Sequence, residues 1–440
     1  MRKLRLNSGQ QKAVDTLVNG FLSGDDKSLT LIGEGGTGKT TCIMAAAEEW
    51  AKAGFNILFT APTNKAVKQL EKSAREYGLK TDRATFCTVA KALGLALMPS
   101  EENKRATQVR ESILGDFNIL VIDEGSMVSQ IAFFQYILPA VEDNNLCVVV
   151  MGDRMQLPPV RETTSHALEH FPKIELLEVE RFGKDSPTAE LCSALRPYID
   201  AAKPFHFNSQ DFKVETVKPV NFLKEIVEAF DADTDAEKVR VLAYTNARVD
   251  RINEAIRNKI YGRDAAVFEI GERVVTGGPI MFDREVQLST DEECIVTQVI
   301  ESSMLDDTTG DEYRTLLVTL DPIYADGGTI HCHVIHPEEE VRLQDKLNEI
   351  AAEAKNPSTS RQRSYGLWSK WHTLKDLFAT LKYCYCITVH RSQGSTYETV
   401  YVDVDNILTN KKADERRKLL YVAFSRASQR LITNKVRYSA

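Results

Sequence analysis

The sequence predicts an α/β chain of two lobes, each built on a parallel sheet, with a small unit inserted in the first lobe and a larger β-rich unit in the second. Three observations predict it. Apolar strands and helical stripes alternate through roughly the first 180 residues; a second strand–helix series begins at Val239, stops, and resumes at Cys384; and the interval between them turns to short β segments and turns.

The first lobe opens with Gln10, Ala13, Val14, Leu17, Val18 and Phe21 on one helical stripe, closed by Gly24. Strands follow at Leu29–Ile32, Ile57–Thr60, Ile119–Ile122 and Cys147–Met151. A turn at Met98-Pro99-Ser100, with a charged run after it, marks a small insertion over about 81–115. The second lobe reads as strand Val239–Tyr244, helix Asn246–Tyr261, strands Cys384–Val389 and Thr399–Val404, helix Lys412–Phe424 and a last segment Arg430–Thr433. The expected division is 1–80 with 116–183 for the first lobe, 184–264 with 383–440 for the second, and 265–382 for its insertion, split into a small barrel (265–336) and a helical hairpin (337–382). In that hairpin Leu367, Trp368, Trp371, Leu374, Leu377, Phe378 and Leu381 form a helical stripe, so packing is preferred over base stacking for its aromatics.

Bulk composition excludes several classes. At 440 residues, 43% hydrophobic and 27% charged, the chain is an ordinary multi-domain globular protein. Its longest apolar run, Leu146–Met151, is far short of the roughly 20 residues that span a bilayer, and no secretory stretch follows Met1; a cytoplasmic location is expected. Fifty-five basic against 63 acidic residues give a net charge of −8, so any nucleic acid must be held in a local groove. Eight cysteines lack paired metal-ligand spacing, and Cys384/Cys386 and His331/His333 read as strand residues.

The chemistry concentrates at strand ends. Gly33-Glu34-Gly35-Gly36-Thr37-Gly38-Lys39-Thr40 follows a strand and opens a helix, the context of a phosphate-binding loop whose backbone N–H groups and helix N-terminus hold a polyphosphate. Lys39 is expected on the β/γ-phosphates, with Thr41 beside it, and Thr40 on Mg²⁺. Asp123 and Glu124 end the third strand; Asp123 is expected to hold Mg²⁺ and Glu124 to activate the attacking water. Gln156 is a candidate γ-phosphate sensor, and Arg181 and Arg426 are candidate arginine fingers. Pro62, Thr63 and Asn64, with His390 and Gln393, stand at strand ends where a nucleic-acid phosphate could bind.

Taken in order, Gly33 to Thr40, Ala61-Pro62-Thr63, Asp123 to Met127, Gly152 to Val160, Thr388 to Gly394 and Tyr421 to Ala427 resemble the motifs of superfamily-one helicases, nearest the phage Dda-type and bacterial RecD-like helicases of the B subgroup. The resemblance runs from Leu6 to the C-terminus and is sharp only at the motifs. It implies two RecA-like P-loop lobes, an ATP- and Mg²⁺-dependent DNA helicase moving 5′ to 3′ on single-stranded DNA, an SH3-like barrel in the second insertion, and a strand-splitting pin in the first, sought around 97–102. It implies that Gln10 contacts the adenine, that Gly394 joins Gly33, Gly35, Gly36, Thr37 and Gly38 at the nucleotide, and that Thr88, Thr245, Asn246 and Ser392 join the strand contacts. Single-stranded and fork DNA are the implied partners, with replication, repair or recombination proteins docking on 265–382, and a monomer is expected. One departure touches the site: relatives often have Thr-x-His where this chain has Thr88-Val89-Ala90, which moves or removes one contact. An RNA-tracking helicase and an ATP-gated recruiting module remain as alternatives.

Overall fold

The computed structural model describes residues 6–79, 81–100, 103–159, 162–178, 187–212, 214–282, 285–325 and 328–440. Contacts divide the chain into two compact units, one of Met1–Gly94, Arg110–Ile260 and Tyr385–Ala440, the other of Leu95–Val109 and Tyr261–Cys384.

The first unit carries two parallel sheets. One runs in the order Ala84–Thr88, Ile57–Ala61, Ile119–Ile122, Cys147–Gly152, Ser28–Gly33, Lys173–Leu176, with every neighbouring pair parallel. Its central strands are predominantly apolar because both faces are covered; Leu31, Phe59, Val121 and Val149, with Trp50 of the helix packed on them, are wholly buried. The helix Ser8–Ser23 on one flank starts with a capping box, Asn7 with Gln10, and stops at Gly24 in the left-handed region. The other sheet runs Glu215–Thr216, Ala427–Thr433, Tyr397–Val402, Val239–Ala243, Cys386–Thr388, again all parallel.

The insertion expected over 81–115 is narrower. Ala84–Thr88 pairs with Ile57–Ala61 as the edge of the first sheet, and only 95–109 leaves the unit. This edge strand carries an exposed Thr85 and a half-buried Phe86 among its buried residues and lacks the apolar run that marks its neighbours.

The second unit contains a five-stranded antiparallel sheet in the order Ile330–Ile335, Glu312–Pro322, Glu293–Leu305, Arg273–Thr276, Leu381–Tyr383. Helices Glu340–Lys355 and Arg361–Asp376 pack as a hairpin whose Leu347, Ile350, Leu374 and Phe378 close over Tyr313, with Trp371 against them, so the aromatic stripe is packing. Leu95–Ser100 and Asn103–Gln108 form an antiparallel hairpin; Glu101 and Glu102, at its expected tip, lie outside the described residues. His331 and His333 face threonines of the neighbouring strand, Nδ1 lying 3.0 Å from Thr319 Oγ1 and 2.9 Å from Thr315 Oγ1. All eight cysteines are free, and the described residues hold no cluster of three His, Cys, Asp or Glu suited to a metal. No helix among the described residues is long and apolar enough to cross a membrane.

Candidate nucleotide and strand sites

The loop Gly33–Thr40 joins strand Ser28–Gly33 to helix Lys39–Lys52, and the backbone turns sharply through Gly38 at φ 86°. A side chain there would also collide with Gln10, since a Cβ would come 2.4 Å from Gln10 Nε2. Gln10 is buried under the loop: its Oε1 accepts Asn7 N–H (3.1 Å) and its Nε2 donates to Thr37 O (3.0 Å). Lys39 Nζ lies within the loop, donating to Gly33 O (2.6 Å) and Glu34 O (2.9 Å). Thr41 Oγ1 is 2.9 Å from Tyr77 OH, while Thr40 stands half-buried at the helix start.

Asp123 and Glu124 project from the end of strand Ile119–Ile122 beside that loop. Asp123 Oδ1 accepts Glu124 N–H at 2.8 Å, and Glu124 sits at φ 49°, a left-handed conformation that costs a non-glycine residue of order 1–3 kcal/mol and aims its carboxylate. Recession into the cleft pushes Glu124 up to about 7, aided by the Asp123 charge and opposed by Arg426 and Lys39. Asp123 is raised for the same reason, with Lys39 opposing.

The second sheet supplies the opposite wall. Gly394, at φ 74°, lies against Glu124: a Cβ there would stand 3.7 Å from Glu124 Oε1. Arg426 is buried and almost fully engaged by its own lobe. Nε donates to Val422 O (3.1 Å), Nη1 to Ser395 O (3.0 Å) and Ser392 O (3.4 Å), and Nη2 to Ser425 Oγ (2.7 Å). Its charge nonetheless reaches Glu124. Gln156, the expected sensor, is also buried, and Gln393 reaches across to it, Nε2 lying 3.5 Å from Gln156 Oε1 and 3.2 Å from Leu157 O. Arg181 lies outside the described residues.

Two expected strand contacts therefore change place. Ser392 is fully buried, with its hydroxyl on Val389 O (2.7 Å) and its carbonyl accepting from Arg426 Nη1 (3.4 Å). Gln393 is turned toward Gln156 and Leu157. The remaining positions sit at strand ends as helix openers. Thr63 Oγ1 accepts Ala66 N–H (3.2 Å), Thr245 Oγ1 accepts Arg248 N–H (3.4 Å), and Thr88 Oγ1, largely buried, accepts Lys91 N–H (3.2 Å). Pro62 and Asn64 are half-buried and Asn246 is exposed. The His390 ring lies tilted beside Tyr244 with centroids 6.3 Å apart, Nε2 is 3.8 Å from Glu415 Oε1, and burial lowers the imidazole's pKa.

Several residues of the site carried no local signal. Tyr421 OH donates to Asp153 Oδ2 (2.7 Å) across the cleft, and burial beside that carboxylate drives the phenol well above its ordinary range. Asn406 Oδ1 accepts the N–H groups of Tyr244 (2.8 Å) and Thr245 (3.0 Å), fixing the turn before Asn246. Arg196 pairs with Glu34 of the P-loop. Tyr421 is the first residue of the Tyr-Val-Ala-Phe-Ser-Arg segment that ends in Arg426, and its place in that segment is the one available clue.

A phosphate loop, a carboxylate pair and an arginine from a second parallel-sheet lobe define a P-loop NTPase whose site is shared between two sheets. Comparison with known proteins narrows the class. The AAA domain model matches residues 5–203 and the UvrD-like helicase C-terminal domain model matches 383–432. An uncharacterised protein of Acanthamoeba polyphaga mimivirus is 27% identical, covering 97% of this chain and 99% of its own. The ATP-dependent DNA helicase Dda of Enterobacteria phage T4 is 24% identical over 96% of this chain and 97% of its own. The fold is that of a Pif1 helicase from Bacteroides solved with ADP-AlF3 and ssDNA, with a TM-score of 0.52 at 16% identity, covering 99% of this chain and 93% of that one. Over nearly its whole length the chain is thus similar to ATP-dependent helicases of superfamily one, of the Pif1/Dda kind in the B subgroup.

Proposed function

We propose that this chain couples ATP hydrolysis in the cleft to 5′ to 3′ movement along single-stranded DNA and to separation of a duplex ahead of it. The observation that carries the reading is that elements of the second sheet close on the reactive end of the first: Gly394 lies against Glu124, Gln393 Nε2 donates to Leu157 O (3.2 Å), and Tyr421 OH donates to Asp153 Oδ2 (2.7 Å). Chemistry divided in this way proceeds only while the lobes are together, and a cycle of closure and release is what a stepping motor requires.

Thr40 Oγ1 and an Asp123 carboxylate oxygen are hard donors of the type Mg²⁺ takes, one carboxylate and phosphates completing its shell. When bound, the ion neutralises charge on the β- and γ-oxygens. Lys39 would hold the same oxygens, Glu124 would take the proton of the attacking water, and Gln156 with Gln393 would sense the γ-phosphate, while Arg426 and Arg181 act as fingers. One Gln10 N–H beyond its bond to Thr37 is available for the adenine, and Gly35, Gly36 and Gly394 leave room for the phosphates.

The strand would run over matching helix openings in the two lobes, Pro62-Thr63-Asn64 and Thr245-Asn246, with Thr88 and His390 alongside. DNA as the track is supported by the likeness to Dda and to the Pif1 structure that contains ssDNA, and the direction is borrowed from the motif resemblance to the B subgroup. On the same reading the two sheets are RecA-like lobes, the antiparallel sheet is an SH3-like domain, and hairpin Leu95–Gln108 is the pin at a fork. Residues 265–382 would receive replication or recombination proteins, and the working form would be a monomer.

The test is ATP turnover with and without oligonucleotides, followed by displacement on duplexes with a 5′ or a 3′ tail. Stimulation by single-stranded DNA and displacement from the 5′ tail alone are expected. No stimulation defeats the motor reading, equal stimulation by RNA moves the track, and displacement only from a 3′ tail defeats the polarity.

A further inference from the structure

A phosphate-binding loop works by presenting N–H groups and a lysine to a polyanion, so a carboxylate inside it acts against its purpose. This loop has one. Glu34 follows the first glycine and is only 5% exposed. Its carbonyl is a hub of the loop, accepting Thr37 N–H (3.3 Å), Thr37 Oγ1–H (2.9 Å) and Lys39 Nζ–H (2.9 Å), so wherever Glu34 goes the loop follows. The carboxylate pairs with Arg196 Nη1.

Arg196 does not belong to the same lobe as the loop. Its helix, Pro187–Asp200, packs against helix Ala413–Phe424 and strand Ala427–Thr433 of the second sheet. The Glu34–Arg196 pair thus crosses the cleft beside the Tyr421–Asp153 hydrogen bond, and the charge of Arg196 is felt by Tyr421. Separation of the lobes would strip Glu34 of its cation and leave a recessed negative charge next to the phosphates.

We infer that Arg196 is a positioning residue that neutralises Glu34, so the loop accepts a nucleoside triphosphate well only when the second lobe is closed upon it. It acts through Glu34 and not on the nucleotide. The inference rests on the motor reading and deepens it, because it makes nucleotide affinity a function of lobe closure. It also predicts an unusual sign: the harm done by losing Arg196 is undone by losing Glu34's charge as well.

The experiment uses the full chain and two readouts, equilibrium binding of a fluorescent ATP analogue without DNA, and KM and kcat for ATP with single-stranded DNA. Arg196→Ala should weaken analogue binding and raise KM by about tenfold or more, with kcat changed by less than about threefold. Arg196→Lys, which keeps the charge, should recover most of that loss. Glu34→Gln alone should bind the analogue at least as tightly as the unaltered chain, because the loop then holds no carboxylate for the arginine to neutralise, and the double variant Arg196→Ala with Glu34→Gln should return to within about threefold of the unaltered chain. An unchanged KM in Arg196→Ala, or a double variant as impaired as Arg196→Ala, overturns the inference. Should Arg196→Ala fail to fold by thermal melt, Glu34→Gln decides alone, since weaker binding there overturns it. Because the analogue is read without DNA, a chain whose turnover ignores DNA would sink the motor reading while leaving this test intact.

Discussion

The two parallel sheets meet at one cleft and furnish it in opposite ways. The first places its reactive groups straight off strand ends: Lys39 one loop beyond Gly33, Asp123 and Glu124 directly after Ile122. The second holds its contribution on packed turns, with Arg426 clamped by the carbonyls of Val422, Ser392 and Ser395 and Gln393 carried on the turn before Gly394. A strand end gives direction to a side chain cheaply, whereas a clamped arginine is poised by many weak restraints at once. On the proposed function, the first lobe binds and the second lobe gates.

The largest effect that would sharpen this contrast is at Arg426. Arg426→Ala should lower kcat by about 10³ or more while ATP-analogue affinity falls far less, since a finger acts on charge that develops during transfer. Arg426 also ties its own turns together, so thermal melts must accompany the kinetics, and Arg426→Lys, which keeps charge but loses the forked donors, should remain strongly impaired. A kcat within about threefold of the unaltered chain in Arg426→Ala would break the contrast, leaving the second lobe without a chemical role.

Next in size is Glu124. Glu124→Gln should cost about 10²–10⁴ in kcat as the general base is lost. The sign with pH follows from burial: a carboxyl raised to about 7 is protonated, and useless as a base, below that value. kcat/KM, which reports the free enzyme, should fall as pH drops through about 7, and Glu124→Gln should abolish that acid limb. An acid limb near the ordinary carboxylate range would mean that solvent or another charge relaxes the site.

The contrast also explains what could be read from the sequence. Gly33–Thr40 and Asp123-Glu124 were legible because each needs only its own strand and helix as context, and the apolar runs at 29–32, 57–60, 119–122 and 147–151 announce buried strands by composition alone. Edge strand Ala84–Thr88 was missed because half-burial breaks that pattern. Ser392 and Gln393 were placed on the strand path since they are polar and follow a strand, but which way a turn residue faces is set by packing; the partner of Gln393, Leu157, is 236 positions away. The pairings Glu34–Arg196 and Asp153–Tyr421 are invisible for the same reason: Glu34, Asp153 and Tyr421 lie in legible motifs, but which residue each meets is set only where the two sheets pack.

The smallest effect probes closure without touching chemistry. Tyr421 is essentially buried, and its hydroxyl is joined to Asp153 across the cleft, while Asp153 Oδ1 also accepts Met155 N–H at 2.9 Å. Tyr421→Phe keeps the ring and removes one hydrogen bond to a charged group, a contact of about 1.5–3 kcal/mol. Only the share expressed on closing should reach turnover, so DNA-stimulated ATPase should fall by about threefold to tenfold, with KM for ATP rising more than kcat falls. Asp153→Asn, which keeps an acceptor, should be milder. If Tyr421→Phe lowers the melting temperature yet leaves stimulated turnover and KM untouched, the hydroxyl is packing within a permanently closed unit, and the gating assigned to the second lobe must be carried by Arg196 and Arg426 alone.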